Sequence, residues 1–430
     1  DALDDADGTV EITFWHGMND LLEDSLISLT DAYNASQDRV RVVLQNQTGY
    51  NETIDQFIQA SQSSRPVLVQ FPEYTLQSFA QSDTLVPIEA CIESSGYDTS
   101  AIIPRALGAF QLEGIQWGMP FNVSNPVLYY NRVMFEAAGL DPDDPPVTLE
   151  ELREVSQVLV DSGAATYGMV LDTGADSGGS WFLEQWFGRA GELYADNGNG
   201  RLARATQVLY DNELGAELLT FMQSMLDDGL AVNVGDNASG QDSLLKLADA
   251  SEPGAMVMYT SAALGTVINA LGSGLVEGLT PADIGVGPMP GPSPEPAVQV
   301  GGASLWLMAE KSPEETAAAW DFVNYLTNAD TQSAWAAGTG YVPIRSDALD
   351  IEPRLTTYSD DPRYRVAYDQ LVSGENDVTS NSPALGPLRA VRAETSGAVA
   401  RVFAGEDAAT ALADAAVASN ALIESYHQRN

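Results

Sequence analysis

Reaction chemistry needs a base, a metal cage, a carboxylate pair or a phosphate cradle, and this chain is poor in the first two. Its imidazoles are His16 and His427 alone, and the second lies in a C-terminal tail expected to fray, so a Ser-His-Asp triad lacks a well-held base. No G-x-S-x-G turn occurs, no G-x-G-x-x-G follows the first expected strand, and G-x-x-x-x-G-K-[ST] is absent. Cys91 is the one cysteine, which excludes an internal disulfide framework or a Cys-based metal cluster and reads as a small buried hydrophobe. The acidic runs "DALDDADG" and "DPDD" lack the loop spacing of a calcium site and read as solvated charge. With 61 acids a two-carboxylate glycosidase stays open as an alternative, although no two of them form a recognisable pairing. What stands out is polar but unreactive. The nearly uncharged "GMPFNVSNPVLYYNRVMF" (118–135) sets Asn122, Ser124 and Asn125 between two prolines, just ahead of the apolar Val127-Leu128-Tyr129-Tyr130. Hydroxyls and amides at strand ends suit recognition without turnover.

The elements around these residues follow an α/β pattern. "VEITFWH" (10–16), "RVRVVLQ" (39–45) and "RPVLVQF" (65–71) predict strands, and Leu22, Leu26, Leu29 and Tyr33 mark one face of an intervening helix. Such alternation predicts crossover units and a largely parallel sheet. The third strand runs into Glu73, at the carboxyl end where open α/β sheets place ligands; a carboxylate there is costly without a partner. Thr148 with Glu151, and Ser312-Pro313 with Glu315, predict capped helix starts. "ELGAELLTFMQSMLDDG" (213–229) predicts a helix stopped by Gly229, and its apolar stripe is expected in the core. "DNGNGR" (196–201) reads as a hairpin turn, "GLTPADIGVGPMPGPSPEPAVQVGG" (278–302) as a connection against the body, and "VGGASLWLM" as a strand.

Length and charge narrow the class. At 430 residues the chain exceeds the roughly 250–300 residues at which single cores stop growing, so two lobes are expected. Asp and Glu outnumber Lys and Arg by 61 to 19, for a net charge of −42, which excludes a phosphate-backbone partner such as nucleic acid. The excess speaks to solubility and a salty habitat rather than to chemistry. No apolar run approaches the roughly 18–20 residues of a membrane span. The acidic start ahead of the first strand is what a mature chain parted from a secretory signal or a lipidated cysteine would show, so an extracytoplasmic, lipid-anchored protein is expected.

Over nearly its whole length the sequence resembles the extracellular solute-binding proteins of ABC importers, in the group that includes maltose-binding protein, and most of all the Ugp-type glycerol-3-phosphate and glycerophosphodiester binding proteins. The resemblance is carried in order by "EITFWHGM" (11–18), "GYNET" (49–53), "VQFPEYT" (69–75), "GMPFNVSNPVLYYN" (118–131), "VGGASLWLM" (300–308), "GTGYVPI" (338–344) and "GPLRAVR" (386–392). It implies the two-lobed periplasmic-binding-protein fold, each lobe a mixed, mostly parallel sheet flanked by helices, with a ligand cleft at the hinge. The lobes are expected at 1–122 plus 302–345 and at 123–301 plus 346–430.

The resemblance also implies a site. In that family tyrosine and serine hydroxyls, a glycine N–H and one arginine hold the phosphate, while a glutamate takes the glycerol hydroxyls. The matching residues are Tyr50, Glu73, Ser124, Ser261, Gly302, Tyr341 and Arg392, with Arg389 a rival one helical turn from Arg392. Trp181 and Trp186 match the tryptophan region only approximately; Trp181 is expected to stack on the ligand's far end, and Trp186 is equally a core residue. Trp15 and His16 come at the end of the first expected strand and are expected at the cleft rim rather than on the ligand. The alternatives to these roles are ordinary half-buried tyrosines at Tyr50 and Tyr341, a helix cap at Ser261 and a turn residue at Ser124. The chemistry is consistent with the resemblance, since a phosphate ester has more acceptor oxygens than one side chain satisfies, and neutral donors plus one guanidinium make a sensible shell. The expectation is a monomeric receptor, not an enzyme, with no cofactor or metal, that captures a phosphorylated glycerol or its diester by closure and passes it to a permease. The alternatives are an oligosaccharide receptor of the same fold and, further off, a secreted glycosidase or phosphodiesterase.

Overall fold

The structure, a computed structural model, describes residues 2–4, 6–237, 240–295, 297–374 and 376–429. The chain folds as two compact units, Asp1–Ser124 with Val300–Asp361 and Asn125–Gln299 with Pro362–Asn430.

The first unit is built on a six-stranded sheet. Its strands run in the order Val40–Asn46, Val10–His16, Leu68–Pro72, Gly301–Met308 and Leu85–Val86, and Met119–Ser124 also pairs with Gly301–Met308. The first three strands are parallel, as the alternating sequence predicts. Gly301–Met308 runs antiparallel to each of its neighbours. The helix Asp20–Ser36 buries Leu26, Thr30 and Tyr33 on one stripe, and Tyr33 packs its ring 4.9 Å from Phe322. Strand interiors such as Phe14, Leu68, Val69, Phe71, Leu305 and Trp306 are fully buried, because helices cover both faces of the parallel portion.

The second unit carries a five-stranded sheet in the order Ala231–Asn233, Tyr167–Leu171, Gly254–Thr260, Pro126–Asn131 and Ile284–Pro288. Its first three strands are parallel and the last two pairings antiparallel. Both sheets are thus mixed, with more antiparallel pairing than the sequence pattern suggests. The reason lies in Gly301–Met308 and Pro126–Asn131, each the first strand after the chain passes from one unit to the other, so no helical crossover within its own sheet leads into it.

Local start signals behave as their chemistry dictates. Thr148 and Ser312 accept from the backbone N–H of Glu151 and Glu315 at 3.1 Å each, and each glutamate accepts in return from the cap N–H at 2.9 Å. The helix Glu213–Asp227 buries Leu218, Leu219, Met222 and Met225.

Four expectations are corrected. The segment 346–361, assigned from sequence to the second lobe, belongs to the first unit: Ser333 Oγ donates to Ile351 O at 2.7 Å and accepts from Arg354 N at 3.0 Å, and Arg354 is buried beneath Tyr358. "DNGNGR" is no hairpin turn, since Asn197, Gly198 and Asn199 take left-handed φ values of 52°, 64° and 59° inside a wider loop closed by an Ala195–Val208 bridge. The Pro/Gly-rich stretch from 278 is more than a connection, because Ile284–Pro288 forms an edge strand of the second sheet. Cys91 is half-buried on its helix rather than in the core, though burial still raises its thiol pKa.

Candidate functional site

In the first unit five of the sequence candidates gather where strands end. Glu73 follows the strand Leu68–Pro72 and opens a 3-10 turn over Glu73–Thr75, buried at its first residue. Ser124 is the last residue of Met119–Ser124 and sits in register with Gly301, beside Gly302. Gly302 takes φ +96°, and a Cβ there would lie 2.0 Å from Asn122 O, so only glycine lets the strand pass this closely. Tyr50 opens the helix Tyr50–Gln59, and its hydroxyl lies 3.3 Å from that of Tyr341.

Those two hydroxyls end a relay of amides. Gly17 N donates to Gln70 Oε1 at 3.0 Å, Gln70 Nε2 to Asn122 Oδ1 at 2.7 Å, and Asn122 Nδ2 to Tyr50 Oη at 2.7 Å. Gln70 and Asn122 are fully buried in the interiors of Leu68–Pro72 and Met119–Ser124, so their amides must be satisfied by each other. Gly17 has no room for a side chain, since a Cβ would meet Gly49 C at 2.6 Å. Tyr341 is fixed from behind by Trp335, stacked 5.5 Å away, and Trp335 in turn stacks on Phe121 at 4.9 Å. Burial raises the pKa of Tyr50 well above the ordinary phenol value and raises that of Tyr341, with the charge of Glu73 adding to both. A phenol is already protonated at neutral pH, and these shifts extend that to more alkaline conditions, so both serve as O–H groups.

The second unit holds Ser261, Trp181 and Arg392. Ser261 lies at the end of Gly254–Thr260; its N–H donates to Asn125 O at 2.9 Å and its Oγ accepts from Asn125 N at 3.4 Å. The residue that caps this turn is Thr260, whose Oγ1 accepts from Ala262 N. Trp181 starts the helix Trp181–Arg189 with its ring buried, and its indole N–H has no partner among the described residues. Trp186, on the same helix, is core: its Nε1 donates to Pro290 O at 2.8 Å.

Arg392 is not the open guanidinium that the sequence suggests. It is 2% exposed and grips Glu184 through a two-pronged fork, Nε to Oε1 and Nη2 to Oε2, each at 2.8 Å. Its Nη1 donates to Asp176 Oδ1 at 3.1 Å. Glu184 is fully buried and Asp176 is 58% exposed, so one carboxylate is structural and the other lies at the solvent end. Arg389, the rival, is exposed.

Asp176 is held by a tightly wound loop. Asp172 follows the strand Tyr167–Leu171, and its Oδ1 accepts from Gly174 N at 2.9 Å, Gly178 N at 3.1 Å and the Ser177 hydroxyl. Burial raises the Asp172 pKa, and these three donors work against that rise. Gly178 and Gly179 pass so close to the backbone of Asp172 and Thr173 that a Cβ would lie within 2.3 and 2.2 Å of their carbonyls.

Residues 28–365 match the family described as bacterial extracellular solute-binding protein, which is well over half of the chain. The chain belongs to that family. It is therefore the extracytoplasmic solute-binding component of an ABC importer, a receptor that binds a small ligand and works with a permease, and not an enzyme. Among curated proteins it is similar to the sn-glycerol-3-phosphate-binding periplasmic protein UgpB of Brucella melitensis, 27% identical over 96% of this chain and 93% of that protein. The UgpB of Rhizobium meliloti is 27% identical over 97% of this chain and 95% of its own length. Among solved structures it is similar to UgpB from Mycobacterium tuberculosis in complex with glycerophosphocholine, with TM-score 0.79 and 22% identity, covering 98% of this chain and all (100%) of that one. The sugar-binding protein MalE of Xanthomonas citri matches with TM-score 0.78 and 17% identity over 97% of this chain and 98% of its own. These likenesses establish the periplasmic-binding-protein fold.

Two side chains of this solute-binding protein that looked peripheral are interior. Trp15 is buried and donates to Gln45 Oε1 at 2.5 Å. His16 is fully buried, its Nδ1 accepting from Met18 N at 3.3 Å while its Nε2 has no partner among the described residues. Burial lowers its pKa to about 4, with a small opposing pull from Glu23, so it is neutral at pH 7. Sequence reading missed Gln70, Glu184 and Asp176 and noted Asn122 without a role. Glu184 had a usable signal, a lone carboxylate in the apolar "WFLEQWF", of the same kind that singled out Glu73. Among the described residues no His, Cys, Asp and Glu cluster is placed to hold a metal ion, and no helix is long and apolar enough to cross a membrane.

Proposed function

We propose that this solute-binding protein takes glycerol-3-phosphate or a glycerophosphodiester such as glycerophosphocholine, with Tyr50, Glu73, Ser124, Trp181, Ser261, Gly302, Tyr341 and Arg392 as the residues that contact it. The observation that carries this reading is the paired phenols of Tyr50 and Tyr341, 3.3 Å apart, with Asn122 Nδ2 donating to the Tyr50 hydroxyl. Two hydroxyls at that separation suit neighbouring oxygens of one phosphate, and Glu73 beside them suits glycerol hydroxyls. The names of the full-length curated relatives point the same way. A micromolar complex needs roughly 8 kcal/mol, within reach of several hydroxyl contacts and one charge-assisted bond at about 1.5–3 kcal/mol.

One observation favours a neutral oligosaccharide instead. Arg392 is already matched by two carboxylates, so its surroundings carry no positive excess. Calorimetry of the intact protein with glycerol-3-phosphate, glycerophosphocholine and maltose separates the two readings. Heat from the phosphate esters is the expected result; heat from maltose alone would overturn it. Capture rate gives a second readout. Against a net charge of −42 an anionic ligand is repelled at low salt, so its association rate rises with ionic strength whereas that of a neutral sugar stays flat.

A further inference from the structure

Glu184 and Asp176 are unequal partners of Arg392. The fork to Glu184 is wholly buried and bidentate, and breaking it would strand a charge in the interior. The contact to Asp176 is single, through Nη1, and its carboxylate is 58% exposed, so water can replace it cheaply. The Asp172-anchored loop nevertheless keeps Asp176 in place.

We infer that Asp176 is a built-in anion that occupies the outer edge of Arg392 and grades ligands by charge. This rests on the phosphate reading above. An incoming phosphate must displace the Asp176 carboxylate from Nη1 and then sit beside it and Glu184. The penalty grows with ligand charge: a dianionic monoester meets more repulsion than a monoanionic diester, and a neutral sugar meets none. Asp176 therefore shifts preference from phosphate monoesters toward glycerophosphodiesters, above all those carrying a cationic head group.

The test is calorimetric titration of the wild type, Asp176→Asn and Asp176→Glu with glycerol-3-phosphate, glycerophosphocholine and maltose. Asp176→Asn keeps an acceptor for Nη1 but removes the charge. It is expected to tighten glycerol-3-phosphate roughly tenfold, to tighten glycerophosphocholine less, and to leave maltose unchanged. Asp176→Glu keeps the wild-type ranking, and an unchanged melting temperature in both variants shows that the fold is intact. If the wild type binds phosphate esters but Asp176→Asn leaves the monoester-to-diester ratio unaltered or weakens both, the inference about Asp176 fails while the ligand class stands. If neither wild type nor variant binds any phosphate ester, the ligand class itself is wrong and the inference falls with it.

Discussion

The polar cluster of the first unit and that of the second solve the same problem in opposite ways. From Gly17 through Gln70, Asn122 and Tyr50 to Tyr341, the first uses neutral groups whose donors and acceptors match one to one. The second places a guanidinium between a buried and an exposed carboxylate. A neutral relay gains its rigidity from geometry: each amide is held at both its oxygen and its nitrogen, and nothing is left charged if a link loosens. A charged cluster gains it from the high cost of leaving any member alone. The first should therefore fail gradually and the second abruptly.

The largest expected effect is in the charged cluster. Glu184→Ala leaves Arg392 buried without its main counter-charge and is expected to cost about 3–5 kcal/mol in urea unfolding; a loss near that of a surface ion pair would erase the contrast between the units. Next is His16, next to Gly17 at the start of the neutral relay. Its folded pKa of about 4 lies below the unfolded value of 6.5, so only the unfolded chain takes up this proton as pH falls from 6.5 to 4. The site is then destabilising toward acid by on the order of 3 kcal/mol at pH 4 and silent above pH 7. Against the general acid response of the carboxylates, this appears as a shallower stability loss in His16→Asn than in wild type between those limits; parallel curves would refute it. Asn122→Ala removes the centre of the relay, strands the Gln70 Nε2 donor and leaves the Tyr50 hydroxyl only Tyr341, with an expected loss of about 1–3 kcal/mol. Smallest is Asp176→Ala, at no more than about 1 kcal/mol, because its partner keeps Glu184 and its own carboxylate regains water. The ratio of the Glu184 and Asp176 losses, read from the same unfolding experiment, measures directly how unequally Arg392 is shared.

How far the site was legible differs by residue. Glu73 announced itself as a carboxylate at the end of a buried strand, and it is where that argument places it. Arg392 was found by motif, but the motif carries no sign of its partners: Glu184 lies 208 residues away and reaches it only because the helices Trp181–Arg189 and Leu388–Phe403 pack in one unit. Gln70 and Asn122 were equally silent, being ordinary polar letters in two strands 52 residues apart that become a bonded pair only through strand pairing. The segment 346–361 was misplaced because its allegiance depends on Ser333 and Arg354, which no local pattern links.

The α/β alternation, the two boxed helix caps, the family, and the exclusion of a histidine-based or cysteine-based catalyst were all legible in the order of the residues. Each of these rests on composition, ordered motifs or interactions that span a few residues, where spacing alone fixes geometry. Tertiary structure decided which polar groups meet. Sheet register brought Gln70 to Asn122, a glycine-tight loop brought Asp176 to Arg392, and the fold brought the Tyr50 and Tyr341 hydroxyls together. These pairings are long-range, and what forces them is the cost of an unsatisfied donor or an unpaired charge in an interior that exists only once the chain has folded.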